Sequence, residues 1–167
     1  MSSKEKPSAP IEPVVANPQY ATEYGDSFKK SQETGECIFC KEFERGTFDA
    51  LLYRNGGWWA KVNPFPPKGR DHQTPAERAL LLIPGRHVSD VHQLGPDDWA
   101  QMGTLLHYVC QKQGITGGAL CVRFGDPLLS GRTLLHLHFQ LIVPGTGRHE
   151  GPLVAERRID PIPFWVG

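Results

Sequence analysis

A chain of 167 residues is long enough for one compact domain with a real core and not plainly long enough for two. Hydrophobic residues make up 39% and charged residues 22%, and 18 Lys and Arg balance 18 Asp and Glu. That zero balance argues against a general electrostatic grip on nucleic acid, which needs a basic excess or patch, but leaves room for a local cationic pocket for one phosphate ester.

Residues 1–33 are rich in Ser, Pro, Lys and Glu, with no apolar core of the signal-peptide kind, and read as a flexible tail. One domain is expected over 34–167, ending in an extended, Pro-rich C-terminal tail after Pro144. No apolar run is long enough to span a bilayer, so the expected compartment is the cytoplasm, with no membrane partner. The chain has no internal repeat. In a reducing compartment the close pair Cys37 and Cys40 points to metal or redox chemistry rather than a disulfide.

Ordered structure is expected from about Glu36. Asp49 to Arg54 reads as a short strand, Asn55-Gly56-Gly57 as a turn that tolerates positive φ, and Trp58 to Val62 as the second arm of a hairpin. Asn63 to Pro75 is dense in Pro, Gly and charge and reads as a loop. Arg78 to Ile83 is a buried strand ended by Pro84-Gly85. Gly95-Pro96-Asp97-Asp98 opens a helix with acidic residues at its positive end. Trp99, Met102, Leu105, Leu106 and Val109 keep a helical spacing, and Gly114 stops it. Strands follow at Ala119 to Phe124 and Leu134 to Val143. Strands, one long helix, then strands predict an α+β domain with a mostly antiparallel sheet.

The most informative segment is Leu135-His136-Leu137-His138-Phe139-Gln140-Leu141. Strand side chains alternate between faces, so His136, His138 and Gln140 point one way and Leu137, Phe139 and Leu141 the other, into a core. A lone His on such a strand reads as a solvated face. Two His and a Gln in strict alternation, beside Gly131 and Thr133, read as the lining of a site, because buried polar groups must be satisfied. A neutral imidazole held at one ring nitrogen can attack phosphorus with the other and carry a covalent group. The turn Ser130-Gly131-Arg132-Thr133 offers backbone N–H groups, a hydroxyl and a guanidinium, which suit a phosphate's developing charge.

Cys37-Ile38-Phe39-Cys40 is a C-x-x-C knuckle without the βαβ context of a redox motif. Zinc needs two further ligands, and His72, His87, His92, His107, His136, His138 and His149 are all candidates on composition.

Together these pieces resemble the histidine-triad superfamily. Gly131 through Val143 is similar to its His-x-His-x-His signature with Gln140 in place of the third His, as in the nucleotidyltransferase branch that includes galactose-1-phosphate uridylyltransferase and the diadenosine-tetraphosphate phosphorylases. Cys37-x-x-Cys40 and Leu82-Ile83-Pro84-Gly85-Arg86-His87-Val88 match in order and rough spacing, so the resemblance covers about residues 36–144. It implies an α+β fold, a twisted antiparallel sheet with one long helix, often paired into a two-fold dimer. It implies a structural zinc held by Cys37, Cys40, His87 and His136, with no open coordination position. It implies His138 as a nucleophile toward the α-phosphorus of a nucleotide or dinucleoside polyphosphate, Gln140 as a donor to a non-bridging oxygen, and Thr133 as a hydroxyl at the phosphate site. The family pattern carries an Asn near Gly125; this chain has Arg123-Phe124-Gly125-Asp126, so Arg123 or Arg132 is expected to supply the charge.

An amide donates a hydrogen bond but is no general acid, so Gln140 tilts the expected reaction toward transfer or phosphorolysis over hydrolysis. Two other readings stand beside the enzyme: a non-catalytic nucleotide-binding or adaptor module with structural zinc, and a zinc-knuckle nucleic-acid binder, which the neutral charge counts against. Of the remaining features, one of Trp58 and Trp59 is expected in the core, and the other is free to stack on a base. His72, His92 and His149 read as solvated loop residues, His107 as a helix surface residue, and Cys110 and Cys121 as small core residues.

Overall fold

A computed structural model of the protein describes residues 34–46, 51–67, 76–130, 132 and 134–143. The expected N-terminal tail, the first two residues of the strand placed at Asp49 to Arg54, and the C-terminal tail lie outside the described residues, as do His72 and His149. In order come α1 (Ile38–Arg45), β1 (Leu51–Asn55), β2 (Trp58–Val62), β3 (Arg78–Pro84), a 3-10 turn (Val91–Gln93), α2 (Pro96–Gln113), β4 (Ala119–Val122), one helical turn (Pro127–Ser130) and β5 (Phe139–Val143). The five strands form one antiparallel sheet in the order β1-β2-β3-β5-β4, the α+β architecture expected.

The β1–β2 turn needs Gly56 at φ 53°, and Gln101 of α2 locks it by accepting from the Gly57 N–H at 2.8 Å. Helix α2 begins at Gly95-Pro96, where Asp98 accepts from the Gly95 N–H at 2.9 Å and Asp97 adds charge to the positive end. It ends at Gly114, whose φ of 62° lets its N–H cap the last carbonyls. Among the described residues no helix is long and apolar enough to cross a membrane.

Period-2 alternation divides the sheet into two apolar faces. Trp58, Ala60, Leu80, Leu82, Leu137, Phe139 and Leu141 meet Met102, Leu105 and Val109 of α2 in the main core. The opposite face of β3, Leu81 and Ile83, packs under α1 against Phe39. Trp58 is therefore the core tryptophan; Trp59 turns to the α1 side, against Phe43 and Arg54. On that side Lys61, 5% exposed, is held by Glu42 of α1 at 2.6 Å.

Two expectations need correction. The strand expected from Leu134 begins only at Phe139. Residues 134–138 lie outside the ladder because Leu137 gives its N–H to Val88 O, in the loop beyond β3, at 2.7 Å. The facing pattern survives: His136 and Leu137 are both buried, on opposite sides. The strand expected through Phe124 likewise stops at Val122.

Leu82 is fully buried at the centre of the sheet on the α2 side. Leu82→Ala should cost about 2–5 kcal/mol in urea unfolding at unchanged slope, and a loss under about 1 kcal/mol would contradict this placement.

Candidate functional site

A candidate metal cluster is assembled where α1 meets the end of β3 and the segment before β5. Cys37 sits at the N-cap of α1 and Cys40 in its first turn, so the expected knuckle is the start of a helix and both thiols share one end of it. His87 follows β3 and is exposed; His136 is 1% exposed. The ligand atoms of these four residues lie within 4.8 Å of one another. Cys37 Sγ is 3.3 Å and Cys40 Sγ 3.5 Å from His136 Nδ1, and Cys40 Sγ is 3.3 Å from His87 Nδ1. A tetrahedral ion with ordinary metal–sulfur and metal–nitrogen bonds would separate such donors by about 3.6 Å. The observed edges match that spacing.

The chemistry of the donor set fits as well. His136 Nε2 lies 2.9 Å from Pro84 O; a carbonyl only accepts, so Nε2 carries the proton and Nδ1 presents a bare lone pair to the two thiols. The hydrogen bond from Cys40, with a smaller one from His87, pulls the Cys37 thiol far below its ordinary range. The bond to Cys37 and burial push Cys40 up. A cation between them would relieve that conflict and favour both as thiolates. Hydrogen bonding to Cys37 raises the His87 imidazole.

His138 lies beside this cluster. Its Nδ1 is 3.0 Å from the carbonyl oxygen of His136, so Nδ1 is the protonated nitrogen and Nε2 keeps a free lone pair. Phe39 of α1 stands edge-on to both rings, 5.4 Å from His136 and 5.5 Å from His138 between centroids. Burial, above all, holds the His138 imidazole below the ordinary histidine range against the hydrogen bond to the His136 carbonyl, and the charges of Arg123 and Arg132 press it lower. The ring is thus favoured neutral and bare at Nε2.

Around it, Arg132 is buried, with Nη1 donating to Ser89 O and Nε without a partner among the described residues. Asp90 and Asp126 offset its burial. Gln140 is half-buried on β5, opposite Leu81 and Cys121, on the His138 side by alternation. Gly131 and Thr133 lie outside the described residues. His107 is exposed on α2, in the other layer. Three features had no reading in the sequence. They are Phe39 as the wall between the two imidazoles, the Pro84 carbonyl as the anchor of His136, and an Asp90–His92 pair with Oδ1 to Nδ1 at 2.6 Å. The apolar residue inside C-x-x-C was the one available signal for the first.

No family model matches the sequence, and no curated protein matches it. Solved structures do. One described as a "Hit Like Protein" superposes with a TM-score of 0.55 at 24% identity, covering 66% of this chain and 99% of its own. A histidine triad nucleotide-binding protein from Candida albicans gives 0.54 at 17%, covering 70% and 85%. A HIT family hydrolase from Clostridium thermocellum gives 0.50 at 25%, covering 72% and 97%.

A metal held by these four residues would couple its binding to stability. Cys37→Ser and Cys40→Ser should each lower the melting temperature and the bound-metal content of purified protein together, and a strong chelator should do the same to the unaltered chain. Metal-free protein whose melting temperature ignores chelator would contradict the assignment.

Proposed function

Because the chain has the fold of the histidine-triad family, we propose that it is an enzyme acting on nucleoside phosphates through His138. The reading rests on one observation above the others. The His136 carbonyl accepts a hydrogen bond from the His138 Nδ1–H at 3.0 Å, leaving Nε2 as a fixed, unprotonated nucleophile.

His138 Nε2 attacks the α-phosphorus. A phosphorus–nitrogen bond forms as the bond to the leaving oxygen breaks, and the imidazolium so produced keeps its Nδ1–H on the His136 carbonyl. An acceptor then takes the nucleotidyl group and frees Nε2. The Gln140 amide donates to a non-bridging oxygen. Arg123 and Arg132, whose charges already reach His138, offset charge gathered at phosphorus; Gly131 and Thr133 are phosphate-binding residues on the family resemblance alone. Since Gln140 brings no proton, transfer or phosphorolysis is favoured over hydrolysis.

The metal we assign is zinc, for which two thiolates and two imidazoles are a common donor set. With all four positions filled by Cys37, Cys40, His87 and His136, its chemistry is structural: it ties α1 and the His87 loop to the segment that aims His138. We place the protein in the cytoplasm as a two-fold dimer, on the family resemblance and on the pattern of cysteine use. The nucleotide-binding description of the Candida albicans structure favours a second reading, a module that holds a nucleotide without turnover.

Intact-protein mass spectrometry separates the two. After brief incubation with dinucleoside polyphosphates, nucleotide sugars or adenylyl sulfate, the chain should gain one nucleotidyl mass from at least one of them, and phosphate should discharge it faster than water. His138→Ala should lose the adduct and all turnover while keeping its metal. Retained turnover in that variant would remove the nucleophile, and the absence of adduct and product from every compound would leave the binding module.

A further inference from the structure

Two thiols one helical turn apart can serve a metal, a disulfide, or each in turn. Reversible oxidation asks for sulfurs that are neighbours, for access from solvent, and for a scaffold that holds in both states. The Cys37–Cys40 pair meets all three.

Helix α1 makes the sulfurs neighbours. Cys37 is its N-cap, at φ −72° and ψ 124°, and the Lys41 N–H closes the first turn on the Cys37 carbonyl at 3.0 Å. Cys40 stands within that turn, and the two Sγ atoms lie within 4.8 Å of each other. Residues three apart on a helix have Cβ atoms about 5–6 Å apart, and a disulfide needs about 3.8 Å. The difference falls on Cys37, whose backbone is extended, so the helix behind it need not unwind.

Access comes from the rim of the cluster. Cys37 and Cys40 are both half-buried and His87, beside Cys40, is exposed, whereas His136 is closed off. A small oxidant meets the sulfurs from the His87 side. The other two cysteines stand outside the cluster: Cys110 is on α2, across the sheet, and Cys121 has its Sγ on the Gln140 carbonyl at 3.7 Å. The scaffold is the main core, which β2, β3, β5 and α2 build without any residue of α1. What α1 itself would lose with the metal is large, since it is otherwise held by Phe39 under the sheet and by the Lys61–Glu42 pair.

We propose that Cys37 and Cys40 are a reversible redox pair whose disulfide displaces the bound zinc; the inference rests on the assignment of zinc to this cluster. The oxidant is a hydroperoxide. One thiolate attacks a peroxide oxygen: a sulfur–oxygen bond forms, the oxygen–oxygen bond breaks, and the departing oxygen takes a proton. The second thiolate attacks the resulting sulfenic sulfur. The sulfur–sulfur bond forms, and hydroxide leaves and takes a proton to become water. The two sulfurs together give up two electrons, and the peroxide accepts both. A disulfide offers no thiolate, so two imidazoles remain, too few to hold zinc. Oxidation thus frees the ion and releases α1 together.

The test takes the full chain, reduced and loaded with zinc, and adds hydrogen peroxide. Freed zinc is read by a weak chromogenic indicator and the sulfurs by peptide mass spectrometry. Zinc release and a disulfide confined to the peptide that holds Cys37 and Cys40 should rise together, to one of each per chain. Amides of Ile38–Arg45 should then exchange hydrogen faster while those of Pro96–Gln113 do not change. A thiol reductant with fresh zinc should reverse all three signals, and a Cys110→Ser, Cys121→Ser double variant should respond in the same way. Zinc that stays bound, a disulfide that uses Cys110 or Cys121, or zinc lost with sulfinic or sulfonic acids that reductant cannot reverse would overturn the redox pair and leave the zinc site standing. A reduced chain that binds no zinc would overturn both.

Discussion

The organising contact of the site is the buried ring of His136. Its Nε2–H is anchored on the Pro84 carbonyl at the end of β3, its Nδ1 faces Cys37 and Cys40, and its backbone carbonyl accepts a hydrogen bond from His138 Nδ1. One residue thereby sets two tautomers: its own, with Nδ1 bare toward the thiols, and that of His138, with Nε2 bare. If the Pro84 bond were lost, Nε2 could no longer be assigned the proton, and the lone pair aimed at the thiols would go with it.

This arrangement explains why the sheet is covered so unequally. The α2 face is a conventional apolar core built on an eighteen-residue helix. The α1 face has only an eight-residue helix and the small cluster of Phe39, Leu81 and Ile83. So little apolar area holds a short helix weakly. The helix is reinforced by the Lys61–Glu42 pair and by the Cys37–Cys40 end meeting His87 and His136. A metal held by these four residues would therefore also seat α1, and because Phe39 comes with α1, it would complete the wall against His138.

Much of this was legible in the residues. The apolar run of Arg78 to Ile83 closed by Pro84-Gly85 and the helical spacing from Trp99 to Val109 located β3 and α2, and the hairpin signal at Asn55-Gly56-Gly57 placed its turn at the observed position. The four metal residues, expected from the family resemblance and not separable by composition, do come together. Other features were hidden for physical reasons. Nothing local distinguishes residues 134–138 from a strand, because what removes them from the ladder is a distant partner, Val88 O. Helix α1 has only two turns, too short for periodicity to declare, and its cysteines read as a loop. The Pro84 carbonyl is a backbone acceptor and carries no sequence signature. The Asp90–His92 pair is a local side-chain contact that a loop reading passes over.

The account depends most directly on where two protons sit. Two-dimensional nitrogen–proton NMR of the metal-loaded protein, with histidine rings labelled at both nitrogens, reads this without any substrate. The expected spectrum has His136 protonated at Nε2 with Nδ1 shifted by the metal, and His138 neutral at pH 7, protonated at Nδ1 and bare at Nε2. A His138 ring that carries its proton on Nε2, or is doubly protonated at neutral pH, would contradict the claim that the His136 carbonyl prepares the nucleophile.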